Sequence, residues 1–91
     1  MIRIPFIYAD KCEHCQMALS MIESAILKCK EIPCEIAKFR YDNKAAISIA
    51  IAQGIDDLPG FVIGDNVFQK DNYTEAEIVK AIKKTSKALK A

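Results

Sequence analysis

Between residues 4 and 29 the apolar pattern changes period once, and that change restricts the possible folds more than any other feature of the chain. Ile4 to Ala9 form a run of apolar, branched and aromatic residues, the composition of a strand buried on both faces. Pro5 is expected at the strand's first position, where a missing N–H matters least. From Glu13 onward the period is helical: Met17, Ala18, Met21, Ile22, Ala25, Ile26 and Cys29 recur at spacings of three and four, one stripe made to lie on a sheet. Pro33 stops the helix, and residues 34–41 (CEIAKFRY) read as a second strand. Neighbouring strands joined by a helix run parallel through a right-handed crossover, so the chain opens with a β-α-β unit.

The stretch NKAAISIAIAQG carries two patterns at once. Ile47, Ile49 and Ile51 alternate as in a strand, whereas Ile47, Ala50, Ile51 and Gly54 fit a helix. Helix is the reading adopted, because Asp42 or Asn43 supplies an N-cap, the alanines favour it, and Gly54 can end it. FVI and VFQ then flank Gly64-Asp65-Asn66, a hairpin signature. Thr74 and Glu77 make a capping box that opens a last helix, with Ile78, Val79, Ile82 and Leu89 on one side. The expected order is β-α-β-α-β-β-α, a three-layer α/β/α fold around a mixed four-stranded sheet. The chain has 91 residues, 52% of them hydrophobic, which suits one domain over 1–91.

Charge excludes some partners. With 13 Lys plus Arg against 12 Asp plus Glu, the total gives no broad surface for nucleic acid or membrane. Met1 leads directly into strand-like sequence without the basic and apolar regions of a secretory signal, and no apolar run approaches the ~20 residues of a membrane span. The expectation is a cytoplasmic protein. In that compartment disulfides seldom persist as staples, so four cysteines point to metal binding or redox chemistry.

Cys12 and Cys15 stand where the first strand gives way to the first helix. A thiolate at Cys12 faces the helix's positive end and its unpaired N–H groups, which lowers the pKa of a thiol from the free value of about 8.5. Lys11 acts in the same direction, as does His14 when protonated, while Glu13 opposes them through like charge. Cys15, one helical turn further on, is near enough to attack a mixed disulfide at Cys12. The expected division of labour is an exposed, attacking Cys12 and a shielded, resolving Cys15. A Cys-x-x-C pair is equally a zinc half-site. However, Cys29 and Cys34 lie at the far end of the helix, roughly 20 Å or more from Cys12, so they cannot complete a metal site within one chain.

Cys12-Glu13-His14-Cys15 at a strand-to-helix junction, with Asp57-Leu58-Pro59 just before the third strand, resembles the thioredoxin superfamily, and within it the small glutaredoxin-like thiol-disulfide oxidoreductases. The resemblance spans roughly residues 2 to 84. Because the first strand begins at residue 2, the shorter glutaredoxin-type form fits better than that of thioredoxin proper. The resemblance implies that Pro59 follows a cis peptide bond beside the cysteines, with the Leu58 backbone available to an extended substrate. It implies exchange of electrons with protein or low-molecular-weight disulfides through a redox-active Cys12-Cys15 disulfide. No other cofactor and no metal are expected, an upstream thiol or reductase is the electron donor, and the protein acts as a monomer. The chain departs from the glutathione-using pattern Cys-Pro-Tyr-Cys, Thr-Val-Pro and Gly-Gly, having Gln69-Lys70 before Asp71 in the last place. His14 is similar to the histidine of the isomerase pattern Cys-Gly-His-Cys, which favours a less reducing couple.

Two other readings use the same residues. In one, the Cys-x-x-Cys pair holds a metal or iron-sulfur cluster between two subunits. In the other, the fold is a redox-inert interaction domain. Cys29 and Cys34 read as buried thiols, with a second disulfide as their alternative. Lys80, Lys83, Lys84, Lys87 and Lys90 read as a solvated helix end.

Overall fold

The computed structural model describes the backbone of residues 1–90 and the side chains of residues 1–89, so the Lys90 side chain lies outside the described residues. The elements run β1 (Ile2–Tyr8), α1 (Glu13–Lys28), β2 (Cys34–Arg40), α2 (Lys44–Gln53), β3 (Gly60–Ile63), β4 (Asn66–Gln69) and α3 (Glu75–Lys90). They form one sheet in the order β2-β1-β3-β4, with β1 and β2 parallel and the β1–β3 and β3–β4 pairs antiparallel. This is the expected α/β/α arrangement and element order.

Side-chain alternation along the strands divides the interior in two. On one side Ile4, Phe6, Phe61, Ile63 and Phe68 pack with Ala18, Ile22 and Ala25 of α1 and Ile78, Ala81 and Ile82 of α3. On the other, Ile7 and Val62 meet Ala46 of α2 and Ile55. Phe61 is the hinge of the larger core: its ring lies 5.0 Å from that of Phe68, stacked, and 5.0 Å from that of Tyr73, edge-on.

Pro5 stands mid-strand, opposite Ala37 of β2, and not at the strand's first position. The N–H of Ile2 donates to the Pro33 carbonyl on the β2 side at 2.9 Å. Backbone groups alternate, so the Pro5 nitrogen turns the other way, toward β3. There the β1–β3 ladder stops at Phe6–Phe61, short of the proline.

The cap residues settle α2. Asn43 Oδ1 accepts the Ala45 N–H at 2.8 Å, and Gly54 closes the helix in the left-handed region at φ 70°. The helix is apolar nearly all round, so Ala46 is buried while Ile47 and Ile51 stay exposed. At α3, Thr74 Oγ1 accepts the Glu77 N–H at 3.2 Å. The buried face of α3 is Ile78, Ala81 and Ile82; Leu89, expected among them, is 66% exposed because the helix runs on past the sheet. Among the described residues no helix is long and apolar enough to cross a membrane.

Candidate active site at the N-terminus of α1

The chain leaves β1 at Tyr8 and must turn sharply to start α1. Lys11 makes the turn in the left-handed region, at φ 53°, a conformation that costs a non-glycine residue roughly 1 kcal/mol. The turn places Cys12 as the N-cap of α1, extended at φ −104° and ψ 108°. Its sulfur accepts the Cys15 N–H at 3.1 Å, the position a Ser or Asp oxygen occupies in an ordinary cap. A thiolate there is stabilised by a directed amide hydrogen and by the helix dipole.

Cys12 and Cys15 are joined as a disulfide, with their Cα atoms 5.2 Å apart. Cys12 is half-buried, whereas Cys15 is 4% exposed and belongs to the main core. The pair thus joins a partly exposed residue to one packed in the core.

Beside the pair lies a cavity of about 290 Å³ walled by Tyr8, Leu19, Lys11 and Lys38, with both cysteines in its lining. Lys38 was not singled out from the sequence. It reaches the site because β2 pairs with β1 in the register Phe6–Lys38, which puts the two side chains on the same face of neighbouring strands. Asp10, next to Lys11, carries its carboxylate to Arg40 Nη2 at 2.7 Å and is held at the exit of the two parallel strands.

His14 extends outward from the first turn of α1, and its Nδ1 meets Asp71 Oδ1 at 2.9 Å. The contact leaves Nε2 as the ring's free nitrogen, and it ties the β4–α3 connection to the dithiol turn. Both groups are more than half exposed, so solvent screens the pair. Asp71 is a second neighbour that sequence reasoning did not single out. Glu13, the other intervening residue, is exposed in the first turn of α1.

Leu58 and Pro59 precede β3, and the peptide between them is cis. Because Ile7 pairs with Gly60 in antiparallel β1–β3, the end of β1 and the start of β3 emerge at the same edge of the sheet. The Leu58–Pro59 segment thus lies beside the turn that carries Cys12. Among the described residues, neither the N–H nor the C=O of Leu58 makes a hydrogen bond within the chain.

Cys29 and Cys34 sit at the opposite end of α1, both as free thiols, the first buried and the second half-buried. Among the described residues no group of three or more His, Cys, Asp or Glu stands close enough to hold a metal ion.

The chain has a thioredoxin-like fold that carries a Cys-x-x-Cys pair at the head of its first helix. Among solved structures the chain is similar to an uncharacterized thioredoxin-like protein from Clostridium perfringens, at 14% identity and a TM-score of 0.73, covering 93% of this chain and 71% of that one. It is also similar to a malarial protein, at 15% identity and a TM-score of 0.63, covering 93% and 97% of the two chains. A third likeness is to thioredoxin-2 of the malaria parasite, a component of its protein secretion machinery, at 16% identity and a TM-score of 0.61, covering 92% and 82%. No family model matches the sequence, and no curated protein matches it.

Proposed function

We propose that the protein is a dithiol-disulfide oxidoreductase in which Cys12 attacks and Cys15 resolves. The observation that carries this reading is the asymmetry of the pair: a half-buried sulfur bonded by the Cys15 amide, linked to a sulfur buried in the core. In the reduced protein the Cys12 thiolate attacks one sulfur of a substrate disulfide. The Cys12–substrate bond forms, the substrate S–S bond breaks, and the departing sulfur takes a proton from solvent. Cys15 then gives up its proton and attacks Cys12, closing the internal disulfide and releasing the second substrate sulfur as a thiol. Two electrons and two protons have passed to the substrate, and an upstream thiol or reductase returns them.

The surrounding residues bear on the first step. Lys11 and protonated His14 favour the thiolate at Cys12, and Glu13 opposes it. The free main chain of Leu58, ahead of Pro59, offers a short edge on which an extended substrate can add as a strand beside the dithiol. The substrates are protein or small-molecule disulfides, met in the cytoplasm by a monomeric protein.

Turnover of a model disulfide by purified protein, compared with Cys12→Ser and Cys15→Ser, tests the mechanism. Cys12→Ser is expected to fall to the uncatalysed rate, and Cys15→Ser to accumulate a mixed disulfide visible by mass spectrometry. Full turnover in Cys12→Ser, or no trapped adduct in Cys15→Ser, removes the assigned roles.

A further inference from the structure

The loop that carries Leu58 has few bonds of its own. After the end of α2, the N–H groups of Gly54 and Ile55 both donate to the Ala50 carbonyl, the second at 2.9 Å. The next two N–H groups, of Asp56 and Asp57, converge on one side-chain atom, Gln69 Oε1, at 2.8 and 3.1 Å. The same side chain donates from Nε2 to the Gly54 carbonyl at 3.4 Å. One residue later, the Lys70 N–H donates to the Pro59 carbonyl at 2.7 Å. The segment from Gly54 to Pro59 is therefore held from β4 at both ends, and Leu58 is the residue between the two attachments whose main chain stays unbonded.

Register explains why Gln69 can reach. Gln69 pairs with Gly60 across β3–β4, and strand alternation puts it on the same sheet face as Val67, the α2 side. Gly60 has no side chain to obstruct that face; a Cβ there would run into Ile55. Ile55 packs down over Gly60, the loop follows it, and its amides come within range of the Gln69 carboxamide. Lys70, at φ 54°, turns the chain away immediately afterwards toward Asp71 and its contact with His14.

We propose that Gln69 is a positioning residue for substrate docking: it clamps the Gly54–Asp57 loop so that the Leu58 main chain stays presented, preorganised, beside Cys12. The proposal rests on the dithiol-disulfide reading above and deepens it, since it assigns the preference for an extended peptide over a small disulfide to a residue outside the cysteine pair. Preorganisation of this kind acts on binding of whatever pairs with Leu58 and leaves sulfur chemistry at Cys12 unchanged.

The test compares two substrates, a pair of short extended peptides joined by one disulfide and bis-hydroxyethyl disulfide, with dithiothreitol as electron source. In Gln69→Leu, KM for the peptide substrate is expected to rise about fivefold, the scale of losing a net hydrogen bond or so of loop order, with kcat unchanged and the small disulfide unaffected. Hydrogen exchange at the Asp56 and Asp57 amides is expected to accelerate in the same variant. Gln69→Glu, which retains the acceptor atom facing both amides, is expected to keep their protection and the peptide preference. An unchanged ratio of peptide to small-disulfide kcat/KM in Gln69→Leu overturns the proposal. So does an equal fall for both substrates, which marks Gln69 as merely structural. Absence of Cys12-dependent turnover of either substrate by the unsubstituted protein overturns the oxidoreductase reading itself, and the proposal with it.

Discussion

At the N-terminus of α1 the sulfur of Cys12 accepts an amide hydrogen at 3.1 Å, while at the C-terminus of the same helix Cys29 is buried, with its own N–H bonded to the carbonyls of Ala25 and Ile26. Beyond it Cys34 packs against the same core, and burial first, then the neighbouring Cys29, pushes its thiol above the ordinary 9.0, against a lowering by the N-terminal ammonium. The two ends thus treat the same element in opposite ways. At one, unpaired N–H groups and the positive end of the dipole surround a half-buried sulfur; at the other, Cys29 is packed into the core among apolar side chains. They differ in how open their cysteines are and in which main-chain groups face them.

The sharpest way to break that comparison is a crossed substitution. Cys12→Ser is expected to abolish disulfide reduction, yet to leave the reduced protein's stability within about 0.5 kcal/mol, because serine is itself a good N-cap. Cys29→Ser is expected to leave turnover unchanged, yet to destabilise by about 1–3 kcal/mol, because a hydroxyl is buried where a weakly polar thiol had been. Chemical denaturation and turnover assays on both variants read the two effects separately. If both variants lose activity equally, the ends are not distinct.

A somewhat smaller effect is expected in alkylation of the reduced protein by iodoacetamide. Cys12 is half-buried at the helix head, Cys29 is buried, and burial raises the Cys34 thiol above its ordinary 9.0, so at neutral pH Cys12 should be labelled first. Peptide mapping by mass spectrometry gives the order, and faster labelling of Cys34 would contradict the assignment.

The smallest expected effects are in stability against pH. The folded-state pKa of Cys34 lies above its ordinary 9.0, so its contribution is complete below that value and lost as pH rises through the folded one. Tyr73 acts in the same sense above its ordinary 10.0, through burial first and the charge of Asp71 second. The melting temperature should therefore decline above about pH 9, and less steeply in Cys34→Ala. At acid pH the sign reverses: hydrogen bonds from Lys28, then from Ser24, hold the Glu75 carboxyl below its ordinary 4.5. That contribution is present above 4.5 and lost as pH falls through the folded value, so Glu75→Gln should flatten the acid limb of a melting profile.

Much of this was legible in the residues, for local reasons. Spacing of three and four after Glu13, the caps Asn43 and Gly54, the Gly64-Asp65 turn and Thr74 before Glu77 each act within a few residues, and each marks an element that forms. Pro5 and Leu89 were misread because their settings are not local. Whether a proline harms a strand depends on which neighbour its nitrogen faces, and whether a leucine is buried depends on how far the sheet extends beneath its helix. The same holds at the site. Cys12 and Cys15 announce themselves by spacing and junction, whereas Lys38 arrives through the β1–β2 register, Asp71 through a contact with His14, and Gln69 through side-chain bonds to a loop more than ten residues earlier.

The sequence by itself determined the order and kind of the elements and put a cysteine pair at the head of the first helix, because periodicity, capping and turn chemistry are properties of neighbouring residues. Tertiary structure decided which charges stand around the pair and which main-chain groups are left unbonded beside it. Those depend on strand register and on the packing of distant segments, and a one-residue slip in either would turn the same side chains to the other face.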